Sequence, residues 1–303
     1  MGTSGRQAVE SSMTRWGMLK MLTFVSTFSG VQAGTDMANA FVTYLYGKHM
    51  AQSISNIIEY SPITNSSWDP FAAIDNVTAN AVVVPEKVGS SFTRWGVLAY
   101  PGFIALDVVS IGTYAEFVVM EPGYFGNMSL IAPTLDDVKM SSVVPAGGQS
   151  IVPTHHISNP PSNLDVLIVP GLPTAGPFPH EKELVEYIRT VYPSLKHIIS
   201  VGTGSMLLAS AGILEGRNAT TSKSLFHATT EPYRKGHKIN WTGGRWVQDG
   251  NVWTTSSSAT GLDSGNALAI ALFGKKATLW ASTLMEYLPS SDPSYDPFAH
   301  LMR

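Results

Sequence analysis

Apolar residues along this chain fall into two patterns. Residues 94–100 (RWGVLAY), 164–169 (LDVLIV) and 197–201 (HIISV) form short runs that are apolar at most positions. A strand without alternation is one buried on both faces, as in a parallel sheet covered by helices on either side. The second pattern is helical. Residues 181–192 place Leu184, Val185 and Ile188 on one face of an amphipathic helix, and 262–274 predict a closing helix. The first strand leads through Pro101-Gly102 into a loop and helix carrying Asp107. Residues 128–157 predict short extended pieces between Pro and Gly turns, 218–221 a short strand, and 245–254 a hairpin. Strands that alternate with helices predict an α/β fold with a mostly parallel sheet. Ligands bind such sheets beyond the C-terminal strand ends. Asp107, Gly171 and Gly202 each follow a predicted strand, so they are expected to converge there.

The most specific local pattern is at residues 197–216. The apolar run meets Gly202-Thr203-Gly204 and continues as Ser205-Met206-Leu207-Leu208-Ala209, good helix formers that stop at Gly216. A strand, tight turn and helix set one residue at the apex. The first N–H groups of the helix then face whatever lies above it. This is the geometry of a nucleophile elbow. Here the apex residue is Gly202, which has no side chain to attack with. Thr203 and Gly204 offer amides for an anion or a carbonyl oxygen. Ser205 reads as a hydroxyl at the helix start, with a surrogate nucleophile as the sharper alternative.

An internal repeat organises the N-terminal part. Residues 34–72 begin GTDMANAFVTYLYGK and end EYSPITNSSWDPFA; residues 261–299 begin GLDSGNALAIALFGK and end EYLPSSDPSYDPFA. The two align without a gap at an offset of 227 positions, from 34 to 261. Thr14-Arg15-Trp16-Gly17 also recurs as Thr93-Arg94-Trp95-Gly96. Residues 1–72 therefore read as a truncated tandem copy, 73–92 as a linker, and 93–303 as a complete domain. The helix expected at 36–58 is apolar on most sides. With no sheet of its own, it should pack on the main domain, swap with a partner, or stay poorly ordered. The repeat also changes the meaning of residues 13–33. Their charged start and apolar run 21–31 suit a secretory signal, and Asn65, Asn76, Asn127, Asn218 and Asn240 lie in glycosylation sequons. Read as fold sequence, the same stretch favours a cytoplasmic protein; a working signal would make it secreted.

Composition narrows the partners. The chain has 303 residues, 44% hydrophobic and 14% charged, which describes a globular chain with ample core in one or two domains. A net charge of −3 with scattered Lys and Arg gives no case for nucleic acid or an anionic membrane. No apolar run reaches the roughly 18 residues of a membrane span. The absence of cysteine excludes disulfides, thiolate metal sites and a thiol nucleophile. His155-His156 suggests a metal, but adjacent histidines in a loop point apart, so neither metal nor cofactor is expected. Glu116, Asp292 and Asp296 read as solvated or turn residues.

The string SVGTGSMLLASAGILEGRNATTSK resembles the ThiJ/PfpI family of the class I glutamine amidotransferase-like superfamily, whose elbow usually reads V-C-T-G. YPGFIALDVV is similar to its first strand and acidic loop, and LDVLIVPGLPT to its oxyanion loop. RWVQDGNVWTTSSSATGLD and EYLPSSDPSYDPFA resemble the ends of fungal-type members near isonitrile hydratases. The resemblance covers nearly all of 93–303. It implies a flavodoxin-like three-layer sandwich and a homodimer. It also implies that Asp107 is the acid beside the nucleophile, Gly171 and Leu172 the oxyanion loop, and Ser257 and Ser258 a pocket loop. Asp107 has a plainer reading as a helix cap, and Ser257 and Ser258 as a polar turn. Two departures matter: Gly202 stands where the family has its Cys, and Leu172 where it has a second Gly. Loss of the thiol removes covalent chemistry. Two functions follow. One is small-molecule binding with non-covalent hydratase, lyase or isomerase chemistry, in which Asp107 is general acid/base. The other is an inactive pseudoenzyme serving as a binding or dimer scaffold.

Overall fold

A computed structural model of the chain describes residues 31–63, 91–119, 124–140 and 149–302. The apolar run 21–30, the echo at 14–17, the end of the first repeat from Asn65 onward, Asn76 and most of the expected linker lie outside these residues. The first described elements are helices α1 (Val31–Tyr46) and α2 (Lys48–Ile58). The sequence predicted one helix here. Gly47, at φ +84°, breaks it in two, because that backbone is open to glycine but strained for other residues.

The main domain opens on β1 (Ser91–Leu98), which begins inside the stretch expected to be linker, and α3 (Ala105–Val119). There follow β2 (Tyr124–Ala132) and the short strands β3 (Val138–Lys139), β4 (Ser150–Ile151) and β5 (His155–His156). Next come β6 (Val166–Val169), α4 (Glu181–Val191), β7 (His197–Val201) and α5 (Ser205–Ser210). There follow β8 (Asn218–Ala219), α6 (Phe226–Thr230), β9 (Asn240–Trp241), the hairpin β10 (Trp246–Asp249) and β11 (Val252–Thr255), and the long α7 (Ser258–Leu284). Seven strands form one sheet in the order β10-β11-β7-β6-β1-β2-β5. All its pairs are parallel except β10 with β11.

Alternation along the buried strands splits the core into two layers. Leu98, Leu167, Val169 and Ile198 face one cluster, with Leu184 and Ile188 of α4 and Leu207 and Leu208 of α5. Val97, Val166, Ile168, Ile199 and Val201 face the other, with Ile111 and Tyr114 of α3 and Leu268 and Phe273 of α7. The result is the expected three-layer sandwich with a mostly parallel central sheet. Glycine sets the spacing of α3 and α7: a Cβ at Gly265 would lie 3.1 Å from the Tyr114 ring and 3.3 Å from the Ile111 backbone.

Two elements depart from the sequence pattern. β2 is a nine-residue strand despite Gly126, Asn127 and Ser129, because it pairs with β1 across eight positions. Helix α7 continues past Gly274, where φ is +82°, to Leu284. A glycine that reads as a stop is here a kink.

Candidate functional site

Gly202 sits at the elbow apex between β7 and α5 with φ +53°, the left-handed backbone that the turn demands. Among the described residues, a Cβ built there would meet only the Ser256 carbonyl oxygen, 3.6 Å away. The apex therefore has room for a side chain, although its backbone is strained for one. Gly204 has none. A Cβ on it would meet the carbonyl oxygens of Val169 and Pro170, the latter at 2.5 Å. The elbow is seated against the end of β6 by this close approach. Gly204→Ala is expected to destabilise the chain by roughly 1–3 kcal/mol, the usual cost of overpacking, read as a lower denaturation midpoint.

Around the apex runs a closed ring of contacts. Asp107, in the first turn of α3, is 1% exposed. It accepts a hydrogen bond from the Gly171 N–H at 2.7 Å and a short one from the Ser258 hydroxyl. Burial pushes its carboxyl up to about 6, and the bonds from Ser258 and Gly171 only partly offset this. The Thr203 hydroxyl donates to the Leu172 carbonyl at 2.9 Å and accepts from the Leu172 N–H at 2.7 Å. Gly171 lies directly over Thr203, since a Cβ at 171 would be 3.0 Å from the Thr203 nitrogen. Asp107, Gly171, Leu172, Gly202, Thr203, Gly204 and Ser258 thus lie together at the C-terminal ends of β1, β6 and β7; the strand pattern placed Asp107, Gly171 and Gly202 there, and the resemblance added Ser258.

The ring also sharpens several expectations. The Gly171 and Leu172 amides, which the resemblance assigns to an oxyanion loop, are engaged by Asp107 and Thr203. Ser257 is the N-cap of α7, in a reciprocal capping box with Thr260, so its side chain is used by the helix. Ser205 donates to the Gly202 carbonyl and the Thr221 hydroxyl, both at 3.0 Å, as a helix-start hydroxyl. His156 bonds Ser158 and the Pro133 carbonyl, while His155 bonds Thr154. Asp292 caps the turn to Ser294, but Asp296 is no solvated residue. Its side chain is fully buried, 3.2 Å from the Lys223 amine, itself fully buried.

This pair belongs to a charged cluster that pattern reading missed. Glu59, from the N-terminal hairpin, is 0% exposed and accepts from the Lys223 N–H at 2.9 Å and from the Ser256 hydroxyl at 2.6 Å. Ser256 is the residue whose carbonyl faces the apex. The Lys223 amine also donates to the Gly244 carbonyl at 2.8 Å, and Arg245 holds Asp263 at 2.6 Å. Burial pushes the Glu59 and Asp263 carboxyls up and the Lys223 amine down; the opposite charges nearby counter each shift. The available signal was the repeat, since Asp36 and Glu59 fall on the same positions as Asp263 and Glu286. Nothing local marked Lys223.

Residues 121–269 match the model of the DJ-1/PfpI family. The chain carries a DJ-1/PfpI family domain. Isonitrile hydratase from Pseudomonas putida is 30% identical over 160 residues, covering 51% of this chain and 64% of that enzyme, a little under two thirds of its length. A ThiJ/PfpI family protein from Pseudomonas syringae superposes with a TM-score of 0.56 at 26% identity, over 70% of this chain and 84% of that one. Drosophila melanogaster DJ-1beta superposes with a TM-score of 0.51 at 16% identity, over 65% of this chain and all of that one, a likeness of fold. The three-layer sandwich with its mostly parallel sheet is thus the fold shared with these relatives. No helix among the described residues is long and apolar enough to cross a membrane.

Proposed function

We propose that this chain is a DJ-1/PfpI-type protein that works without a covalent thiol step and binds a small molecule above the elbow. Any reaction it performs is non-covalent hydration, elimination or isomerisation, with Asp107 as general acid/base. The supporting observation is the pairing of an apex glycine with a buried carboxyl. Gly202 has no nucleophile, and Asp107 is held at about 6, close to neutral pH, where a group both gives and takes protons. An acid so placed typically contributes about 10²–10⁴-fold. Thr203 and Gly204 are assigned to the floor of the pocket, and Gly171, Leu172 and Ser258 to its wall. Ser257 supports that wall as the cap of α7. No metal or cofactor is assigned.

The second reading is an inactive binding or scaffold protein. It draws support from the Gly171 and Leu172 amides, which are occupied by the protein's own groups rather than free for a substrate oxygen.

The test is turnover of isonitriles, α-ketoaldehydes and α,β-unsaturated carbonyls by wild type, Asp107→Asn and Gly202→Cys. Turnover by wild type that disappears in Asp107→Asn is the expected result. Activity found only in Gly202→Cys would favour the inactive reading. The same variant should lose about 1–3 kcal/mol, because a non-glycine residue is strained at φ +53°. An unchanged melting temperature would count against a strained apex.

A further inference from the structure

The hairpin of α1 and α2 repeats α7 and its end turn 227 positions earlier, and several of its hydrogen bonds recur there. Its break at Gly47 (φ +84°) matches the kink at Gly274 (φ +82°). Asn39 donates to Ser55 at 2.7 Å, and Asn266 to Ser282 at 3.0 Å. The Tyr60 hydroxyl and the Ile63 N–H both donate to Asp36 at 2.7 Å. In the later copy, the Tyr287 hydroxyl and the Ser290 N–H donate to Asp263 at 2.7 and 2.6 Å. Both units end in a glutamate with left-handed backbone, Glu59 at φ +53° and Glu286 at φ +47°.

The two glutamates differ in their surroundings. Glu59 is buried against Lys223 and Ser256, just before the start of α7. Glu286 is half-buried, and its side chain makes no hydrogen bond or ion pair among the described residues. A second contact completes the geometry. The Gln32 side-chain oxygen accepts from the Leu288 N–H at 3.1 Å. Gln32 is the counterpart of Ala259, in the first turn of α7, and Leu288 lies two residues beyond Glu286. So the end turn of the first copy meets the helix start of the second, and the helix start of the first meets the end turn of the second. Reciprocity of this kind is the mark of an isologous two-fold contact.

We propose that residues 31–63 stand in for the C-terminal hairpin of a second copy of this chain. The interface that two such domains would form with each other is closed inside one chain. Glu59 fills the seat that Glu286 of a second copy would otherwise occupy. The full chain is therefore a monomer, and the homodimer implied by the family resemblance is replaced by an internal pairing. What the truncated copy keeps agrees with this. Tyr46, Met50 and Ile54 are 68%, 48% and 38% exposed, while their counterparts Phe273, Ala277 and Ala281 are in the core. The hairpin has kept its interface turn and lost its own sheet.

The test is the oligomeric state of the full-length chain by sedimentation. Wild type is expected to be a monomer. Glu59→Lys sets an amine against buried Lys223, frees the seat, and should produce dimers. Glu59→Lys with Glu286→Lys should return the monomer. A dimeric wild type, a Glu59→Lys chain that melts cooperatively yet stays monomeric, or a double variant that still dimerises would each overturn the proposal. If Glu59→Lys does not fold, Glu59→Gln keeps the size of the side chain, removes its charge and is read the same way.

Discussion

Lys223→Met is expected to cost about 3–5 kcal/mol at pH 7, the loss that follows when one partner of a buried ion pair is removed. Lys223 and Asp296 are both fully buried and 3.2 Å apart. Glu59, from the N-terminal hairpin, accepts from the Lys223 backbone N–H, and the Lys223 charge counters the upward push of burial on its carboxyl. Removing the amine leaves Arg245, 3.9 Å from Asp296 and shared with Asp263, to balance the acids of the cluster in a low dielectric. The methionine stem fills the space of the lysine stem, so the loss reports on charge rather than on a cavity. Its pH dependence has a definite sign. The Glu59 carboxyl, already pushed up by burial, takes up a proton more readily once the amine is gone, so the penalty is largest at neutral pH and shrinks under acid. Denaturant midpoints of wild type and variant from pH 4 to 8, with an unchanged slope, check this. An equal loss at every pH would mean that packing, not charge, holds the cluster.

Asp107→Asn is expected to do the opposite to stability and to abolish any turnover. Burial raises the Asp107 carboxyl from its ordinary 3.8 to about 6. A raised carboxyl opposes folding wherever the group is ionised in both states. At pH 7 this cost is about 3 kcal/mol. It fades as pH falls from about 6 toward 3.8 and is gone below that. An amide avoids the cost but can accept from only one of Gly171 and Ser258 unless the serine hydroxyl turns round. The net gain is therefore expected at about 1–3 kcal/mol at pH 7, vanishing near pH 4. A site residue that is kept at a loss of stability fits a functional group rather than a structural one. A variant less stable than wild type at pH 7 would make Asp107 a helix-start and loop anchor instead.

Much of the candidate site was legible along the chain because it follows strands. Unbroken apolar runs locate β6 and β7, the glycine pair marks the elbow, and the rule that ligands bind at C-terminal strand ends brings Asp107, Gly171 and Gly202 together. Ser258 could be placed near them only by resemblance. Its bond to Asp107 spans 151 positions of sequence and depends on where α7 begins. The use of the Leu172 amide by Thr203 was hidden for the same reason. A side-chain hydroxyl competing for a loop N–H leaves no trace in periodicity. β2 was blurred because a strand zipped to its neighbour over eight positions tolerates Gly, Asn and Ser.

Residue order and identity were enough to read the α/β layering, the family resemblance, the glycine at the elbow apex and the internal repeat. These rest on local pattern and on residue identity, which a linear chain carries in full. Where the repeated hairpin docks, and that Glu59, Lys223 and Asp296 share one buried cluster behind the elbow, emerge with the folded chain alone. Charge compensation in a low dielectric depends on distances of a few ångströms between residues far apart in sequence. That information exists only once the chain has folded.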